Sequence, residues 1–195
     1  MFEKLAEKSL NLMGWELDNH WDLNVDQCVM IAAPHTSNWD ALYARLGLKA
    51  LGVNVRLTIK DSYMKLPFGP FVRAMGGIGI DRSVKQAGQE RPSMVQLMSD
   101  LFKTHPKLVM LVTPEGTRAK QEQWKTGFYH VAMTAGVPIA LAYMDYAKKK
   151  TGVGKMIYPT GNYEQDMAEI MAFYAEINAK HPEKFSVDQR YANNK

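Results

Sequence analysis

His35 and Asp40 stand five positions apart in the segment Pro34-His35-Thr36-Ser37-Asn38-Trp39-Asp40. An imidazole can take a proton near neutral pH, and a carboxylate beside it fixes the tautomer and stabilises the imidazolium. In a turn that feeds a helix, Asp40 can reach back to one ring nitrogen and leave the other facing a substrate. Such a pair is common and by itself weak evidence of catalysis. Two more polar breaks follow, Asp81-Arg82 and Glu115-Gly116-Thr117-Arg118. Arginine pairs bidentately with phosphate or carboxylate, and a glycine lets such a group approach the backbone. Together these residues describe a site that binds an oxyanion and deprotonates something next to it. Each has a plainer reading. Arg82, Arg118 and Lys60 suit solvated strand ends, and Glu115 suits a surface partner for Arg118. Their occurrence at successive strand ends favours the site.

The elements that must position these groups alternate in type. Gln27 to Ala33 reads as a buried strand, the stretch from Ala41 to Leu51 as a helix, and Asn54 to Lys60 as a second strand. That β-α-β order favours parallel strands joined by a right-handed crossover. Pro67, Gly69 and Pro70 predict an irregular segment or a short broken helix. Ile78 and Ile80 suit a short strand that ends at Asp81. A helix is expected from Pro92 to Thr104, a strand from Lys107 to Val112, a helix from Thr126 to Ala135 stopped by Gly136, and a strand from Val137 to Met144. Gly152 to Pro159 reads as an edge strand and Glu164 to Lys180 as a long helix. Parallel strands would bring the three polar breaks to one edge of the sheet, where α/β proteins place their ligands. The expectation is a single α/β domain over residues 1–195, with a mixed, largely parallel sheet surrounded by helices. Residues 183–195 read as a loose tail.

Residues 1 to 14 read as an amphipathic helix with Phe2, Leu5, Ser9, Leu12 and Met13 on one face. The helix packs on the domain, rests on a bilayer with Phe2 and Trp15 at headgroup level, or does both. No signal peptide is visible, and no apolar run approaches the length of a membrane span. A single cysteine, Cys28, excludes an internal disulfide framework, and the five histidines are too scattered for a zinc pattern. The net charge of +4 suits anionic substrates, anionic lipid or nucleic acid without choosing among them. No nucleic-acid motif is present, and Lys148-Lys149-Lys150 suits a solvated loop.

The combination resembles the glycerolipid acyltransferase family, which includes the 1-acyl-sn-glycerol-3-phosphate acyltransferases. His35 to Asp40 looks like its first motif, Gly79-Ile80-Asp81-Arg82 its second, Pro114-Glu115-Gly116-Thr117-Arg118 its third and most specific, and Val137-Pro138-Ile139-Ala140 its fourth. The order matches over roughly residues 28 to 145. The resemblance implies a glycerol-3-phosphate acyltransferase-like fold. It makes His35 the general base and Asp40 its orienter. Arg82, Glu115, Gly116, Thr117 and Arg118 would hold the acceptor. The acyl group would pass directly from acyl-CoA or acyl-carrier protein, as co-substrate, to a lysophospholipid hydroxyl. No acyl-enzyme, metal or resident cofactor is implied. The chain would work at the cytoplasmic face of the membrane as a peripheral protein. Thr113 stands where the family usually has an aromatic or aliphatic residue, and Ala119 where serine is common; these departures bear on the acceptor, not the base. Two rivals remain open: a thioesterase or lipid hydrolase in which His35 activates water, and a non-catalytic lipid-binding module.

Overall fold

The computed structural model describes residues 2–65, 67–81 and 92–192. Seven strands form one sheet in the order β1-β7-β6-β2-β5-β3-β4. β2 (Gln27–Ala32), β3 (Val55–Lys60), β4 (Gly77–Ile80), β5 (Leu108–Val112) and β6 (Ile139–Asp145) all run the same way. β7 (Lys150–Ile157) is antiparallel to β6, and β1 (Glu16–Asn19) is parallel to β7. The expected mixed, largely parallel sheet is therefore present.

The pleat of β2 explains how the two faces are covered. Val29, Ile31 and Ala33 join the larger core with Phe128 and Tyr174, while Cys28, Met30 and Ala32 join a second core with Leu48. Successive strand residues point to opposite faces, so a strand covered on both sides reads as one continuous apolar run. The second face carries α2 (Asn38–Ala50), which links β2 to β3. The first carries α4 (Met94–Thr104), α5 (Gly127–Ala135) and α6 (Tyr163–Ala175). α4 and α5 step back across the sheet, opposite to the step of α2, and right-handed crossovers then require the opposite face.

Several elements differ from expectation. β1 was not foreseen: its residues, ELDN, have low strand propensity, and it is held only by pairing with β7. Consequently β7 is an interior strand, not an edge. Glycine makes this possible, since a Cβ on Gly152 would fall on the backbone of Asp18 and one on Gly154 would meet the ring of Phe173. The helix α1 (Phe2–Leu12) forms, and Gly14 at φ 73° ends the turn after it. Its buried face is Ala6 and Leu10, while Phe2, Leu5 and Leu12 point outward. α6 stops at Ala175, short of Lys180. Beyond it Asn178 leaves the helical path to accept from Tyr146 N and to donate to the Asp145 carboxylate. The tail is packed as far as residue 192: Asp188 is fully buried and Tyr191 sits in the main core.

Between β3 and β4 the chain makes a 3-10 turn, Asp61–Met64, and a short helix, α3 (Gly69–Ala74), as the prolines suggested. α4 begins after an N-cap at Ser93, which leaves Pro92 just outside the helix.

Candidate active site

β2 delivers the chain to the edge of the sheet. The Ala33–Pro34 peptide is cis, and His35 follows it. Ser37 then caps α2, with Asp40 as the third helical residue. The Ser37 side chain and the Asp40 carboxylate each satisfy a backbone N–H of the first turn, a reciprocal capping box. Asp40 Oδ2 accepts from Thr36 N and Ser37 N, both at 2.7 Å. The five-residue spacing from His35 to Asp40 is thus a helix cap with a histidine placed just before it.

Asp40 Oδ1 accepts from Tyr146 Oη at 2.7 Å. Tyr146 follows the last residue of β6 and is placed by its own N–H on Asn178 O. His35 Nδ1 lies 3.7 Å from Asp40 Oδ2, an ion-pair approach that a bound substrate can tighten. Asp40 is 1 % exposed. Burial alone would raise its pKa, but the His35 imidazole, Tyr146 and the two backbone donors outweigh that and hold it below the ordinary carboxylate range. Burial and the Asp40 carboxylate push the Tyr146 phenol well above its usual value, so it remains a donor.

β5 delivers the second wall. Thr113 to Gly116 form a turn closed by Gly116 N on Thr113 O at 3.0 Å, and Gly116 takes φ 68°. His35, Thr113, Gly116, Thr117 and Arg118 line an open cavity of about 360 Å³. Lys125 lies across the same turn. Its N–H donates to Pro114 O at 2.9 Å, and its ammonium lies where a Cβ on Gly116 would have to go. The cavity therefore combines a base, the Arg118 guanidinium and exposed glycine backbone, with the Lys125 ammonium against Gly116.

Glu115 takes a different role from the one its neighbours suggested. It is 2 % exposed and turns inward, where Oε1 accepts from the backbone N–H of His35 at 2.7 Å. It pins the two walls together and does not line the cavity. Oε2 has no partner. The nearby Tyr174 hydroxyl already lies 3.0 Å from the carbonyls of Ile31 and Ala142. Burial pushes the Glu115 carboxyl up to about 7; the His35 N–H and imidazole pull it down, and Asp40 pushes it further up.

His35, Asp40, Gly116, Thr117 and Arg118 are thus brought together. Arg82 lies outside the described residues. Asp81 follows β4 on the same edge of the sheet, beyond β3 and away from the cavity lining. Tyr146 and Lys125 were not singled out from sequence. The same rule that found the others reaches Tyr146, because it directly follows β6, another parallel strand that ends at this edge. Among the described residues no cluster of His, Cys, Asp and Glu could hold a metal ion.

The Acyltransferase family model matches residues 16–145. The chain belongs to the Acyltransferase family. That match covers β1 through β6 and so includes both walls of the cavity. No curated protein sequence matches the chain. Among solved structures it is similar to PlsC, the 1-acyl-sn-glycerophosphate (LPA) acyltransferase of Thermotoga maritima. The TM-score is 0.53 at 15 % identity, over 91 % of this chain and 80 % of that one. That likeness supports the acyltransferase fold across nearly the whole molecule.

Proposed function

We propose that the chain moves a fatty acyl group from a thioester, acyl-CoA or acyl-carrier protein, to the hydroxyl of a lysophospholipid. The observation that carries this reading is the position of His35. It stands at the cavity between a locked carboxylate and the Gly116–Arg118 turn. His35 takes the proton of the acceptor hydroxyl as the oxygen attacks the thioester carbonyl. Asp40 stabilises the imidazolium so formed. The C–S bond then breaks, and the proton passes to the departing thiolate. Arg118, with Lys125 against Gly116, holds the acceptor phosphate. No side chain in the cavity needs to carry the acyl group.

A lysophosphatidic acid-like acceptor fits the cationic wall, and the resemblance to PlsC in fold agrees with it. The reading places the chain at the inner face of the membrane as a peripheral protein. Among the described residues no helix is long and apolar enough to cross a membrane.

The test is transfer of label from acyl-CoA or acyl-carrier protein to a panel of lysophospholipids, to glycerol 3-phosphate and to water. Label should enter a lipid only when its lyso form is present. His35→Ala should lower that turnover by roughly 10²–10⁴-fold, the usual contribution of a positioned base. Release of free fatty acid at the same rate with and without acceptor would make the chain a hydrolase. Loss of all turnover in wild type, with lipid still bound, would make it a binding module.

A further inference from the structure

α3 turns Val72 toward β4, where a Cβ on Gly77 would meet it, and sets Gly69 against the backbone of Met64 in the 3-10 turn. Its outer side carries Phe68, Phe71 and Met75, spaced by three and four, so they lie on one helical face. Phe68 is 66 % exposed, Phe71 67 % and, in the turn just before, Tyr63 60 %. Singly exposed apolar residues are ordinary, but an aromatic stripe on the solvent side of a helix marks an interaction surface.

The charges around the stripe say what it meets. Lys60, Lys65 and Arg73 are exposed; the acidic groups beside them are Asp61, 4.0 Å from Lys65, and Asp81, which follows Ile80, the register partner of Lys60, so cations outnumber acids. A second copy of this chain would bring the same cations face to face across a two-fold axis, which opposes self-association. An anionic bilayer complements them, with the aromatic rings in the headgroup layer and the cations against phosphate. The turn also leaves the sheet at the edge where His35 stands, because β3 and β2 run the same way. We propose that the 3-10 turn Asp61–Met64 and α3 form the surface by which this protein docks on anionic bilayers. The proposal rests on the lipid-acceptor reading for its purpose, but its test does not.

Binding is read by co-sedimentation with phosphatidylglycerol/phosphatidylcholine vesicles and with pure phosphatidylcholine vesicles, in the absence of donor and acceptor. Wild type should bind the anionic vesicles more tightly. Phe68→Ser with Phe71→Ser should weaken that binding by roughly tenfold or more, in line with the apolar area withdrawn. Lys65→Glu with Arg73→Glu should remove the preference for anionic lipid. Should the phenylalanine pair fail to fold, Phe71→Cys carrying an environment-sensitive dye gives a second readout. The natural Cys28 is fully buried, so the label goes to one place. Its emission should rise and shift to the blue on vesicle addition. Acyl transfer between short-chain soluble substrates should be unchanged in the phenylalanine pair, which separates failed docking from failed chemistry. Four results would overturn the proposal: no binding of wild type to either vesicle; full binding by the phenylalanine pair; a silent label at position 71; or loss of binding only on Phe2→Ser with Leu5→Ser in α1. A wild-type dimer that the phenylalanine pair converts to a monomer, with vesicle binding intact, would assign the patch to self-association instead.

Discussion

At Asp40, ionisation is secured by the His35 imidazole it serves and by donors independent of that base. Two backbone donors hold Oδ2, and Tyr146 holds Oδ1. Tyr146→Phe removes a neutral donor from a buried carboxylate and leaves the ring packed edge-on against Trp15 and Tyr43. Because that bond lowers the Asp40 value, its loss raises it. The acid limb of the kcat–pH profile should then move to higher pH, and kcat should fall by about tenfold, as expected for a lost hydrogen bond to a charge. KM for the donor should hold. An unmoved acid limb, with only the melting temperature lowered, would make Tyr146 purely structural. Glu115 behaves in the opposite sense. Its folded-state value is raised from 4.5 to about 7, so the folded protein binds the proton more tightly than the unfolded chain. Its contribution is complete below the unfolded value and is lost as pH rises through the folded one, by about 3 kcal/mol in all. Glu115→Gln keeps an acceptor for His35 N–H and removes the titration. Urea unfolding should find the variant more stable than wild type at pH 8 and no longer so at pH 5. Parallel pH dependences for the two proteins would rule out a raised Glu115.

At the scale of elements, two glycines share one backbone angle and differ in their surroundings. Gly116 and Gly136 both have φ 68°, which disfavours any L side chain. A Cβ at Gly136 meets open space, whereas one at Gly116 meets the Lys125 ammonium. Each Gly→Ala variant should cost about 1–2 kcal/mol in urea unfolding. Only Gly116→Ala should also raise KM for the acceptor, because it pushes the Lys125 ammonium off the turn that lines the cavity. The contrast shows what the chain made legible and what it did not. Parallel strands were readable because a strand buried on both faces is continuously apolar, as at Gln27–Ala32. The cavity-lining residues were readable because parallel strands share an edge. β1 was not, because an edge strand of charged residues is specified by its partner β7 and not by its own composition. Spacing gave α1 an apolar face but not the direction in which it turns: Ala6 and Leu10 are buried, and Phe2, Leu5 and Leu12 point outward. The direction of Glu115 was hidden for a related reason. Spacing places a residue at a strand tip but does not say whether its carboxylate turns toward substrate or toward the backbone of the opposite wall.

Across the whole molecule, the last segment closes the structure over the site's foundations. Trp124 is buried, and its indole N–H donates to Ser186 O while its backbone N–H donates to Asp188. Arg190 pairs with Asp188 at 2.6 Å and donates to Trp124 O, and Gln189 N donates to Glu122 O. The residue after Trp124 is Lys125, whose N–H holds Pro114 and with it the cavity turn. The polar tail therefore acts as a strap, with a buried aspartate in place of apolar bulk. That is why composition read it as loose: Asp188, Gln189 and Arg190 look solvated until their partners are known. Ending the chain after Phe185 strips these bonds and uncovers Trp124 and the space filled by Tyr191. The loss should be roughly 3–5 kcal/mol, the cost of breaking a buried charge network and exposing part of a core. That is a large share of the stability of an ordinary domain. Urea unfolding should show a much lower midpoint for the shortened chain. Its KM for the acceptor should rise even at temperatures where it stays folded, because the Trp124–Lys125 step no longer has a fixed support. A midpoint and KM matching wild type would show that the cavity turn is held by β5 and α5 alone.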